Sequence, residues 1–135
     1  MPQYFPIPSP VSFETDSSDM LAFRWIADSH GIVADFSIFN DQLKKVRVEF
    51  SSIAIVRILD EMPLSTEHEN TPNTGLVPQH FAYRVEGASF WESQSWALKH
   101  GNESLKHYRL ITGSTCLDVL ANSEPAITLV QSDSH

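Results

Sequence analysis

Carboxylates and imidazoles crowd one stretch of this chain above all others. Asp60, Glu61, Glu67, His68 and Glu69 fall within residues 60–79, and His80 stands just past the end. Carboxylate oxygens and imidazole nitrogens are the ligand types of divalent metals. The spacing argues against a metal site, however. Glu67-His68-Glu69 lacks the i,i+4 pair with which a helix presents two ligands on one face. Asp60 and Glu61 are adjacent, so on a strand they point to opposite faces and cannot flank one substrate as acid and base. The stretch reads better as an acidic, solvated loop and a candidate interaction surface.

Cys116 is the lone thiol, and a catalytic thiolate needs an imidazole beside it. The nearest in sequence is His107. If Gly113-Ser114 is a two-residue hairpin turn, Thr112 pairs with Thr115, Ile111 with Cys116 and Arg109 with Asp118. Cys116 then lies four residues along the strand from His107, out of contact, and is expected to be a small filler. The same register predicts a cross-strand Arg109–Asp118 ion pair, expected to be exposed and worth only about 0.2–1 kcal/mol. Arg24, Arg57 and Arg84 interrupt apolar strands. They are candidate anion-binding groups, set against a solvent-facing role in which the stems cover apolar surface. Trp25 falls in the apolar set of its strand and is expected in the core. Trp96 lies off the main helical stripe and is a candidate interface anchor.

No Gly-rich phosphate loop, GxSxG elbow, CxxC pair or EF-hand loop occurs, and no motif specifies a reaction or cofactor. The formal net charge of −8 repels phosphate backbones, and Lys44, Lys45 and Arg47 are the densest basic group. Nucleic acid is therefore not an expected partner. One cysteine permits no internal disulfide, the first residues lack a signal-peptide pattern, and no stretch is apolar enough to span a membrane. These features predict a cytoplasmic location. The leading functional expectation is a non-enzymatic binding or protein-interaction module with an acidic surface and a basic partner. The alternatives are a small hydrolase or isomerase with a concave β pocket, and a structural subunit forming homo-oligomers.

The elements that must carry these groups are mostly strands. Residues 1–18 are rich in Pro and Ser and predict an arm lying on the domain, with an edge strand at Val11–Phe13. Met20–Ala27 and Ile32–Phe39 alternate in polarity, and Lys45–Phe50 does so most cleanly, with Val46, Val48 and Phe50 inward. Ile53–Leu59 follows after Ser51 and Ser52. The short gaps predict four antiparallel neighbours in a meander. After the acidic loop comes a strand over His80–Glu86. Ser89 and Glu92 fit a capping box opening a helix over about residues 90–100. Lys106–Thr112 and Thr115–Ala121 form the hairpin, Ile127–Val130 a last edge strand, and residues 131–135 a tail. The sum is a mainly β single domain of 135 residues. Its antiparallel strands form a bent sheet, a sandwich or a partly open barrel.

Overall fold

The computed structural model describes residues 3–10, 19–26, 28, 31–38, 41–51, 53–60, 75, 80–94, 105–113 and 115–131. In chain order the strands are β1 (Gln3–Pro6), β2 (Met20–Ile26), β3 (Gly31–Ile38), β4 (Asp41–Phe50) and β5 (Ile53–Asp60). They continue as β6 (Ala82–Glu86), β7 (Lys106–Ile111), β8 (Thr115–Ala121) and β9 (Ala126–Gln131), with a helical turn α1 (Ser89–Glu92) between β6 and β7. They form a five-stranded sheet, order β1-β6-β7-β8-β5, and a four-stranded sheet, order β2-β3-β4-β9. Every pairing is antiparallel, as the alternation predicts.

The two sheets share one apolar core. Ile32, Ala34 and Phe36 of β3 and Val46, Val48 and Phe50 of β4 enter it from the smaller sheet. Ala82, Tyr108, Leu110, Leu117, Val119 and Ala121 enter from the larger. Rings meet across the layer: Phe36 lies 5.6 Å from Phe81, and Phe50 lies 5.6 Å from Tyr108. Each large side chain buried here stabilises the fold by roughly 1.5–3 kcal/mol. Truncating Phe36, which is 0% exposed, would cost about 3–5 kcal/mol because the cavity cannot fully collapse. The arrangement is a face-to-face sandwich.

Strand order departs from the predicted meander at one place. β2, β3 and β4 are neighbours, but β5 leaves them and pairs with β8, while β9 takes the position beside β4. The reason is a slip of phase. Phe50 and Ile53, three residues apart in the sequence, both face the same core, so the chain crosses from one layer to the other between them. The hydroxyls of Ser51 and Ser123 meet at 3.4 Å at this crossing.

The amino-terminal arm is also more than a cover. β1 hydrogen-bonds to β6 as an edge of the larger sheet, with Tyr4 opposite Val85 and Pro6 opposite Tyr83. An edge position tolerates Pro6, which has no N–H to contribute. Tyr4 and Ile7 are buried. The backbone of Gly75, at φ +93°, presses so close to the Tyr4 carbonyl that a Cβ would collide with it. Only glycine fits there. Of the predicted helix, α1 and the turn to Gln94 are described, and Gln94 Nε2 donates to the Phe90 carbonyl at 2.7 Å. The rest of that helix, the Val11–Phe13 strand and the tail beyond Gln131 lie outside the described residues.

Candidate functional site

The larger sheet has a second buried face, turned away from the shared core. Alternation along β7 and β8 sends Tyr108, Leu110, Leu117 and Val119 inward and places His107, Arg109, Asp118 and Leu120 on the opposite side. Phe90 of α1, with Ala88 and Leu105 from the segments flanking it, packs against this face. A row of register partners runs across it: Tyr83 on β6, Arg109 on β7, Asp118 on β8 and Arg57 on β5.

Asp118 is the hub. Its Oδ1 accepts from Arg109 Nε at 2.6 Å and lies 2.7 Å from His107 Nε2. Its Oδ2 accepts from Arg57 Nε at 3.1 Å and Nη2 at 2.7 Å. Arg109 Nη1 donates in turn to the Tyr4 hydroxyl at 2.8 Å. The Asp118 and Arg109 side chains are both 0% exposed, and that of His107 is 1% exposed. Phe90 closes the cluster, its ring 5.3 Å from the imidazole and 4.1 Å beneath the Arg57 guanidinium.

The fields inside this cluster are strong. Burial alone would push the Asp118 carboxyl up, but the His107 hydrogen bond and the Arg109 charge outweigh it and hold it well below the usual carboxylate range. Burial works against the Arg109 charge too, yet Asp118 keeps the guanidinium firmly protonated. His107 goes the other way. Burial lowers its pKa, and the Asp118 contact only partly offsets this, with both arginines opposing a second cation. The imidazole is therefore neutral near pH 7. Since the Asp118 carboxylate can only accept, Nε2 carries the proton and Nδ1 is left as an acceptor. His107 Nδ1 is buried without a hydrogen-bond partner. Burial also raises the Tyr4 phenol, against the pull of Arg109, so it stays neutral.

An aspartate orienting an imidazole is half of a hydrolytic triad. Here the carboxylate is shared with two arginines and the ring is covered by Phe90, so it is a poorer base than the half-triad suggests. Cys116 lies opposite Ile111, as the hairpin register predicts, and is buried.

The Arg109–Asp118 pair stands where the register places it, but it is buried, which corrects the expectation of an exposed pair. A signal for this is present in the sequence. Both phases of Thr115–Ala121 are apolar: Cys116 and Leu120 share the Asp118 face, while Leu117, Val119 and Ala121 form the other. A strand apolar on both faces is covered on both, and an aspartate inside it is buried.

The three candidate arginines do not converge. Arg57 joins the Asp118 cluster. Arg84 pairs with Glu86 at 2.7 Å and lies over the Phe5 ring at 4.3 Å. Arg24 is exposed on β2. The backbone of Asp60 ends β5 opposite Thr115. The Asp60 side chain, with Glu61, Glu67, His68, Glu69 and Trp96, lies outside the described residues. His80 stacks edge-on against Tyr83 at 5.2 Å, and among the described residues no group of three ligating side chains comes together.

The smaller sheet presents a different surface. β2 is its edge, and Leu21 (56%), Trp25 (49%) and Ile26 (40%) are exposed along it. Trp25 is thus not a core residue. It pairs with Ile32 near the end of an edge strand. Leu21 is turned outward by a register shift between Met20 and Ala22, while Met20 and Phe23 pack on the core. Beside Ile26 opens a cleft of about 280 Å³ lined by Val33, Phe50, Glu49 and Glu124. The outer face of this sheet holds a second clamped carboxylate. Asp35 receives Arg47 Nε at 2.8 Å and Nη2 at 3.1 Å, with Lys45 Nζ at 3.0 Å. Burial opposes its charge, but the Arg47 and Lys45 contacts prevail and lower its pKa.

Among the described residues no helix is long and apolar enough to cross a membrane. No family model, curated protein or solved structure matches this chain.

Proposed function

We propose that this protein is a non-enzymatic interaction module that binds an extended, basic segment of a protein partner along β2. The observation that carries the reading is that β2 is an edge strand along which Leu21, Trp25 and Ile26 are exposed. An edge offers backbone N–H and C=O groups to an added strand, and exposed apolar side chains beside it supply area and specificity. The adjoining cleft carries Glu49 and Glu124, which suit a lysine or arginine of the incoming segment. The net charge of −8 favours encounter with a basic partner. A single cysteine suits a reducing, cytoplasmic setting.

A titration with a peptide of alternating valine and lysine tests this. Saturable binding, weakened by salt and abolished by Ile26→Asp with Glu49→Lys, is the expected result. Absence of binding would reject the reading. So would a concentration-dependent dimer lost on Trp25→Asp, because the edge would then serve a second copy of the chain.

A further inference from the structure

Each sheet ends in two edge strands, and three of the four are guarded. β1 holds Pro6, β2 carries Arg24 and a register shift between Met20 and Ala22, and β5 carries Arg57 and a shift between Ile53 and Ile55. Prolines, charges and bulges keep an edge from adding a foreign strand. β9 has none of them. It contains no charged residue and no proline, and its register with β4 runs unbroken from Ala126 to Gln131. Among the described residues β4 is its only strand neighbour. Ala126, Thr128, Leu129 and Gln131 are exposed. Leu129 is the most telling of these. It stands opposite Val46 in the core-facing phase, two residues from Ile127, which packs on the core, yet it is 40% exposed.

The chemistry of this edge selects a second copy of the chain. The net charge of −8 sets copies against one another. Beside β9, however, β4 places Lys44, Lys45 and Arg47 opposite Gln131, Val130 and Thr128, and Glu49 opposite Ala126. Even with Asp35 counted, held by Lys45 and Arg47, this border is not negative, so repulsion between copies is relieved there. β9 also complements itself. A twofold axis perpendicular to the sheet runs two strands antiparallel and keeps each face continuous, so residues of equal phase must face each other. With Thr128 on the axis, Thr128 meets Thr128 of the second copy, Ile127 meets Leu129, and Ala126 meets Val130. Every pair sets like against like, and the exposed Leu129 gains an isoleucine neighbour. Centring the axis on Leu129 would instead set Ile127 against Gln131. We infer that the protein forms a symmetric dimer through β9, in the register centred on Thr128, joining two four-stranded sheets into one continuous sheet.

Sedimentation equilibrium of the whole chain, at concentrations up to about 1 mM, tests this. A monomer–dimer equilibrium is expected. Thr128→Lys, at an exposed position, sets two like charges against each other on the axis and should abolish the dimer, and Thr128→Glu should do the same. An equimolar mixture of these two variants should restore it, because residue 128 faces its own copy only in the register centred there. Circular dichroism reports whether each variant keeps its strands. If the Thr128 variants do not fold, Ala126→Lys, at the exposed start of β9, decides: it should weaken the dimer about tenfold. Trp25→Asp, on β2, should leave the dimer intact. A monomer at every concentration overturns the inference. So does a dimer that survives Thr128→Lys, a mixture of the two variants that stays monomeric, or a dimer lost on Trp25→Asp. Failure of peptide binding at β2 leaves the inference untouched.

Discussion

Two aspartates occupy matching places in the two sheets. Asp118 in β8 and Asp35 in β3 each stand mid-strand, on the face away from the shared core, with two cations around them. Asp35 is 4% exposed, but its partners Lys45 and Arg47 are 14% and 28% exposed. Asp118 is 0% exposed beside an equally buried Arg109, and only Arg57, at 25%, reaches solvent. The pairing chemistry is nearly the same. What differs is the layer of Phe90, Leu105 and Ala88 over one face, whereas the cations on the other stay partly exposed. Cover decides whether such a cluster is a modest surface clamp or a commitment of the whole sheet.

Removing each hub breaks the comparison most directly. Asp118→Ala leaves Arg109 buried without its main counter-charge and should destabilise the fold by about 3–5 kcal/mol in urea unfolding. Asp35→Ala frees cations that can rehydrate, so about 1–2 kcal/mol is expected, shrinking as salt is added. Equal losses for the two variants would mean that cover is not the deciding variable. Tyr4→Phe removes one hydrogen bond to Arg109 and should cost about 1 kcal/mol without changing secondary structure, as circular dichroism would report.

The smallest effect expected is a dependence on pH just below neutrality. The folded pKa of His107 is lowered, so the unfolded chain, at about 6.5, takes up the proton more readily. The stability this group contributes is complete above that value and declines as pH falls toward the folded pKa. Unfolding free energies measured at pH 7.5, 6.5 and 5.5 should fall slightly along the series, and His107→Phe should flatten the trend. Both aspartates have lowered pKa values, so their contribution is present above about pH 3.9 and is lost only in stronger acid, last for Asp118.

Much of this was legible from local pattern. β4 is legible because Lys45, Arg47 and Glu49, half-buried or exposed, alternate with the buried Val46, Val48 and Phe50. β8 is legible at Thr115–Ala121 because glycine and serine mark its hairpin. The register of that hairpin paired Arg109 with Asp118 from the residues alone. The exchange of β5 and β9 between sheets was not legible, because pairing to β8 or to β4 is settled by long-range packing rather than by any residue inside those strands. Trp25 misled for a related reason: its place in the alternation is correct, but alternation does not tell an edge strand from a central one. Only part of the cluster is legible in the sequence. Its ion pair follows from the register, but Arg57 and Tyr4 join it only through β5 and β1, whose partners lie far along the chain.

That distance has a consequence for how the molecule is made. The contact between Tyr4 and Arg109 spans 105 residues. During synthesis β1 therefore exists long before β6, and the carboxylate that neutralises Arg57 and Arg109 comes later still. Until β8 is complete, the face of the larger sheet must keep those guanidiniums in water. The slow, non-local kinetics of β-rich topologies should govern when the chain first becomes resistant to proteases.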